Sequence, residues 1–372
     1  MSTVIIGAGV IGLSLGCELA RCGRQVTIVE RDLPGAGASS VAGGMLAPTS
    51  EVQVEHPQLL EFGVHSLRLY PDFIRTIESE TGIDCGFRTD GALFVALTRD
   101  DEVELDHIHR LQLKRGLTAR RIDAGELLSY EPHLSPRAIS GLWVASDLHV
   151  DPRALLRALT QAFAQLGGTL LTGRGVERIV IEQGAVRSVA GQGWEQPAEE
   201  VVLAAGCWSS GAIESPWSHA GIRPVRGQTV RLRGPQRLRH VIRHPEVYLV
   251  PHHDDVLVGA TLEEAGFDAT PTAGAIAHLL RWAQALVPDL EEHTVSELPV
   301  GLRPASRDHL PLIGKGPAGG LFAATGHHRS GILLAPATAR ALSVLMLGTA
   351  GATTLAGGGF DLTPFDPMRF GS

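Results

Sequence analysis

A short stretch at the start of the chain constrains it most. Val4-Ile5-Ile6 is an apolar strand run, Gly7-Ala8-Gly9-Val10-Ile11-Gly12 is a G-x-G-x-x-G turn that opens a helix, and Gln25-Val26-Thr27-Ile28-Val29 is a second strand ending on Glu30. Each part of such a unit has a physical job. Gly7 permits the tight turn, Gly9 lets backbone approach a pyrophosphate, and Gly12 lets the helix sit close to the strand. Glu30 follows Gly12 by 18 residues, near the spacing at which an acid accepts hydrogen bonds from a ribose. The helix N-terminus adds unpaired N–H groups and a partial positive charge facing the phosphates. The pattern predicts a βαβ unit that binds a dinucleotide.

Bulk properties narrow the class. With 372 residues, 44% hydrophobic and 19% charged, the chain is too long for one simple core; two domains, or one large domain with insertions, are expected, with the composition of a well-buried soluble enzyme. A net charge of −8 with scattered Arg residues argues against a nucleic-acid surface. Cys17, Cys22, Cys85 and Cys207 make no C-x-x-C or metal-ligand spacing. Cys17 and Cys22 lie about 140° apart around one helix and should not pair. Free thiols fit a reducing cytosol, so a cytoplasmic location is expected. The first apolar run is broken by glycines and contains Glu18, and Arg369-Phe370-Gly371-Ser372 carries no targeting address; neither a signal peptide nor a membrane span is expected.

Downstream, Pro34 to Pro48 is a loop of small residues suited to close approach of a ligand. Pro57 to Thr81 shows helical spacing of apolar residues, and a charged helix is expected from Asp100 to Arg115. Asp151-Pro152 reads as an N-cap and first helical position. Gln183-Gly184 reads as a hairpin turn, and Val201 to Trp208 as a buried strand ending in a glycine turn. Strands are expected at Pro224–Leu232, Val247–Pro251 and Asp255–Thr261, and a helix at Thr272–Leu286. The fold class is therefore α/β: a Rossmann-like nucleotide domain from residues 1–85, 143–221 and 300–372, and a mainly antiparallel β-sheet substrate domain from 86–142 and 222–299. His252-His253-Asp254-Asp255 reads as a solvated turn. Adjacent histidines there and at His327-His328 point apart, so no metal is expected.

A second glycine-bounded strand-to-helix turn, Leu321-Phe322-Ala323-Ala324-Thr325-Gly326-His327-His328-Arg329-Ser330-Gly331-Ile332, lies near the C-terminus. A nicotinamide dehydrogenase has no need of it. It is suited to placing a helix N-terminus where negative charge builds on a reduced flavin. With Ala38-Ser39-Ser40, Gly43-Gly44-Met45-Leu46-Ala47-Pro48, Arg223-Pro224-Val225-Arg226-Gly227-Gln228, Tyr248-Leu249-Val250-Pro251, Val258-Gly259-Ala260-Thr261 and Gly301-Leu302-Arg303-Pro304, the chain resembles the D-amino-acid-oxidase-like FAD-dependent oxidoreductases. Within that family it is most similar to the branch that oxidises glycine and serves thiamine biosynthesis.

The resemblance implies non-covalent FAD lined by Gly7, Gly9, Gly12, Glu30, Ser39, Ser40, Gly44, Met45, Val176, Gly206, Gly326, His327, Arg329, Ser330, Gly331 and Ile332. It implies that Tyr248, Arg303 and Arg329 hold a small amino-acid substrate, that O2 reoxidises the flavin, and that the chain forms a homo-oligomer, a tetramer by family habit. Two departures stand out: His328 replaces the usual Tyr or Phe, and Ser330 the usual Asn. Chemistry agrees with the assignment, since Arg303 can bind a carboxylate bidentately for about 1.5–3 kcal/mol and Tyr248 can donate a further hydrogen bond. Left as surface and core residues, Arg303 would pair with a carboxylate and Tyr248 would pack in its sheet; Arg223 and Arg226 read as structural. Sarcosine oxidation, D-amino-acid dehydrogenation and a non-catalytic flavin-binding subunit remain as alternatives. The last cysteine is Cys207, which argues against the covalent flavin of monomeric sarcosine oxidases.

Overall fold

The computed structural model describes residues 2–48, 56–114, 117–217, 220–235, 238–348 and 360–370. Arg115, the expected end of the charged helix, and the terminal pair Gly371-Ser372 lie outside the described residues.

The opening strand pairs where its pattern requires. Ser2–Ile6 lies between Gln25–Val29 and Glu200–Leu203, both parallel to it. Thr169–Leu171 extends the sheet beyond Gln25–Val29, and Leu321–Thr325 beyond Glu200–Leu203; the antiparallel edge strand Leu312–Lys315 completes six. Near-continuous apolar runs such as VVL and LFAA are what a sheet covered on both faces needs. One face carries the helices Val10–Arg21, Pro57–Thr81, Pro152–Gln165 and Gly331–Leu347, joined through Leu13, Phe62, Leu159 and Leu334. The other is covered by a three-stranded meander, Arg178–Glu182, Ala185–Gly191 and Trp194–Pro197, whose Ile179, Val186 and Val189 pack on Val4, Ile6 and Val201. Its first turn uses Gln183 and Gly184 at φ +51° and +77°. Asp151 caps the helix after it, accepting from the N–H groups of Arg153 and Ala154.

A nine-stranded sheet forms the second layer system. It is antiparallel except where Val241–His244 runs parallel to Ala92–Ala96. The helix Ala273–Leu286 and the short helix Ala124–Tyr130 cover one face around Leu249, Val258 and Leu279. The long strand Arg223–Arg233 joins its edge: one half pairs with Asp255–Gly259, the other with Val300–Ala305. Val300–Ala305, grouped by sequence with the 300–372 nucleotide segment, therefore hydrogen-bonds into the large sheet.

Three further local expectations change. The strand expected over Val201 to Trp208 ends at Leu203, and Gly206–Ser209 is a 3₁₀ turn. The small-residue loop contains a helical turn, Ala38–Val41, and a two-residue strand, Met45–Leu46, paired with Leu148–His149. His252 is buried, whereas His253 and Asp254 are solvated, because His252 turns inward beside His149 at the seam between the two sheets. The stretch His328–Leu347 is apolar and long enough to cross a membrane by composition, but 67% of its apolar 18-residue window is buried inside the fold.

Candidate active site

Between the two sheets lies a cavity of about 860 Å³. At one end the first glycine turn is fixed by close packing. Gly7 has φ +107°, and a Cβ there would fall 2.6 Å from the Ala204 carbonyl oxygen. A Cβ on Gly12 would fall 2.0 Å from the Gly7 carbonyl oxygen, so only glycine lets the helix start at this height over the strand. The Val10 N–H donates to Ser39 Oγ at 3.1 Å, tying the helix start to the small-residue loop. Glu30 braces the same turn: its carboxylate accepts from the Ala8 N–H at 2.7 Å and the Asp32 N–H at 2.9 Å. A carboxylate has about four acceptor directions, which leaves capacity toward the cavity that Glu30 also lines.

At the other end the large sheet presents polar side chains over glycines. Tyr248 lies directly across from Gly259 in register, and a Cβ there would fall 2.5 Å from its ring; Gly43 bounds the ring from the loop side. Gly227 and Gly301 are likewise cross-strand partners. The Arg303 guanidinium fills the space over Gly227, 2.3 Å from where a Cβ would sit. It donates to the Thr261 carbonyl at 3.0 Å. Arg226, one residue before Gly227, is held in ion pairs with Glu263 and Asp268, and Arg223 pairs with Glu264.

The second glycine turn closes the cavity. Gly326 has φ +76° and His328 φ +48°. His327 is fully buried, its Nε2 3.1 Å from Thr338 Oγ1, and burial pushes its pKa down to about 3. His328 is pushed down to about 3 by burial, then by the nearby charge of Arg329, His309, Arg303 and Arg223. Both imidazoles are therefore neutral. Pro336 sits inside the helix Gly331–Leu347 and cannot donate to the Ile332 carbonyl. The buried Tyr70 hydroxyl donates to that carbonyl instead, and Ser66 Oγ donates to the Leu333 carbonyl at 2.6 Å. The helix start beside the cavity is thus held by a neighbouring helix.

Of the sequence-derived site residues, Gly7, Gly9, Glu30, Ser39, Gly44, Met45, Val176, Gly206, Tyr248, Arg303, His327, Arg329, Gly331 and Ile332 line this one cavity. Gly12, Ser40, Gly326 and Ser330 do not. Gly12 and Gly326 shape the two turns, Ser40 hydrogen-bonds back to the Gly37 carbonyl, and Ser330 faces a smaller neighbouring pocket. Arg31, Arg174, Trp194 and Trp208 also line the cavity near Glu30, with Arg31 stacked 4.4 Å over Trp208 and Arg174 5.8 Å over Trp194. Arg31 and Arg174 lie in loops, Trp194 opens a strand and Trp208 sits in the 3₁₀ turn; none of the four belongs to a binding motif, so no sequence pattern points to them. Cys207 lines the cavity as a buried thiol with its pKa pushed to about 12, a poor nucleophile. Among the described residues no cluster of three metal-ligating side chains occurs.

These residues fit a flavin dinucleotide. Gly7 and Gly9 leave room for a pyrophosphate at a helix N-terminus, Glu30 stands at ribose distance along the chain, and a second helix N-terminus borders the same cavity. The comparisons agree. The family described as DAO, FAD dependent oxidoreductase, matches residues 2–345. A glycine oxidase from Geobacillus kaustophilus is 33% identical over 98% of this chain and 96% of its own length. The crystal structure of glycine oxidase from that species superposes with a TM-score of 0.88 at 32% identity, covering 99% of this chain and 98% of the other. A bifunctional protein ThiO/ThiG from Trichormus variabilis is 35% identical over 90% of this chain. The chain spans 51% of that relative's length.

Proposed function

The chain belongs to the DAO family of FAD-dependent oxidoreductases, and we propose that it oxidatively deaminates glycine or a similarly small amine such as sarcosine or a small D-amino acid, in the service of thiamine thiazole synthesis. One observation carries the reading: the Arg303 guanidinium and Tyr248 hydroxyl border the same cavity as the nucleotide turn at Gly7 and Gly9. When bound, FAD supplies a two-electron acceptor for the α-hydride that O2 reoxidises, giving peroxide with an imine that water converts to 2-oxo acid and ammonia.

The chain's own residues do the rest. Arg303 takes the substrate carboxylate, exchanging its present hydrogen bonds to backbone carbonyls for charge-assisted ones. Tyr248 donates to the same carboxylate, and Arg329, at the exposed side of the cavity, adds positive charge. Anchored so, the α-carbon is held in one orientation, which lowers the barrier by proximity. Non-covalent flavin is supported by the inert state of Cys207, and a cytoplasmic setting by four free thiols. A homo-oligomer is read as a mass that is a multiple of 39.5 kDa in sedimentation velocity.

Anaerobic addition of glycine, sarcosine, D-alanine and D-proline to the yellow holoprotein should bleach its flavin absorbance, with peroxide released on admitting air. If none of the four bleaches it, the reading is wrong. Bleaching without oxygen uptake would make the protein a dehydrogenase rather than an oxidase.

A further inference from the structure

A small polar pocket of about 30 Å³ adjoins the main cavity and is lined by His56, His309, His327, His328 and Arg329 among others. His327, His328 and Arg329 line the main cavity too, so they form a shared wall. The volume suits a single water, which needs about 10–15 Å³ and at least two polar partners. Two partners are in place. Nε2 of His328 and Nδ1 of His309 are buried with no hydrogen-bond partner among the described residues, and the two rings lie 5.1 Å apart. A buried nitrogen left unsolvated carries a desolvation penalty that a bridging water removes. Both residues also hold left-handed backbone, φ +59° at His309 and +48° at His328. Non-glycine residues rarely adopt it, and it gathers at functional sites. The histidines do not form a metal centre, since His327 is bonded to Thr338 and no three ligating side chains converge among the described residues.

The reaction proposed above needs such a feature. An amino acid arrives as an ammonium, yet only the neutral amine has the lone pair that drives loss of the α-hydride. We propose that His328, a water in the small pocket and His309 form the exit path for the proton of the substrate ammonium. The inference rests on the amino-acid reading of the main cavity. The substrate N–H bond breaks toward one nitrogen of His328, while the other nitrogen releases its own proton to the water. That water passes a proton to His309 and His309 passes one to solvent. One proton enters, one leaves, and rotation of the His328 and His309 rings restores their first tautomers. Hand-over between tautomers avoids a lasting imidazolium, which burial and the facing Arg329, Arg303 and Arg223 disfavour. Asp308 beside His309 does not offset those cations, being held by Arg369.

The test is anaerobic stopped-flow reduction of the holoenzyme by glycine from about pH 7 to about pH 10.5 for wild type, His309→Asn and His309→Gly. Asn and Gly both tolerate positive φ, and flavin content with the visible spectrum reports folding. At neutral pH both variants should be slower by about tenfold or more, with added imidazole restoring rate; near pH 10.5 they should match wild type within about twofold, because the amine then arrives deprotonated. An equal fractional loss at every pH would make His309 merely structural, and unchanged rates would leave no relay; either overturns the proposal. Wild type that no amine reduces at any pH overturns the amino-acid reading itself, a result distinct from reduction with variants that behave like wild type.

Discussion

The Arg303 guanidinium occupies space that Gly227 leaves empty, and the Thr261 carbonyl holds it at 3.0 Å. Both ends of the side chain are therefore set before substrate arrives. Arg303→Lys keeps the charge but loses the planar fork that meets a carboxylate with two hydrogen bonds. It should lower kcat/KM for glycine by about tenfold to a hundredfold while leaving flavin binding unchanged. Gly227→Ala should act in the same direction by pushing the guanidinium off its seat. For an amine without a carboxylate neither variant should differ from wild type; a matching loss there would show that Arg303 does not read the carboxylate. Arg303 and Tyr248 were named in the sequence through the motifs that carry the family resemblance, and the fold brings both to one cavity; Gly227 stood there only as one position of such a motif. The Arg31–Trp208 stack and the inward turn of His252 were not legible there, because each depends on a residue far away in the chain that no local pattern names.

At the level of elements, the start of the helix Gly331–Leu347 shows how one packing contact shapes the cavity. Pro336 removes the N–H that the Ile332 carbonyl would accept within the helix, and Tyr70 of the helix Pro57–Thr81 supplies a hydroxyl in its place. Tyr70→Phe should then strand a buried carbonyl and cost about 1–3 kcal/mol, seen in the denaturant midpoint. Pro336→Ala returns the missing N–H, so in the double variant the cost of losing the hydroxyl should shrink by about 1 kcal/mol or more. Additive effects would mean that the hydroxyl does not replace the lost donor. The sequence showed the helix Pro57–Thr81 through its apolar periodicity and the helix Gly331–Leu347 through the glycine-bounded turn that opens it. It did not show the Tyr70 contact, or the helical turn at Ala38–Val41, since periodicity reports which face is buried and not what it is buried against.

For the whole molecule, the seam between the two sheets sets the response to acid. His149, in the strand beside Met45–Leu46, is buried next to His252 at the end of a strand of the large sheet; burial first, and then repulsion from His252 when that ring is protonated, push its pKa to about 4. His327 and His328 lie on the same seam, both near 3. The seam is braced by the paired hydrogen bonds from Arg153 to Glu297, but its histidines are neutral when folded. In the unfolded chain each titrates near 6.5. Between those limits the unfolded state binds more protons, so stability is complete above about pH 6.5 and falls as pH drops toward the folded values. Each group contributes a slope of at most about 1.4 kcal/mol per pH unit. The holoprotein's Tm should accordingly decline from about pH 6.5 to pH 5, with flavin released as the two sheets part, because FAD binds the folded state alone and its loss removes a further linked stabilisation. His149→Gln cannot become charged and should flatten the decline by about one group's share. A Tm unchanged over that range, or an identical slope in the variant, would mean that the seam does not open through these imidazoles.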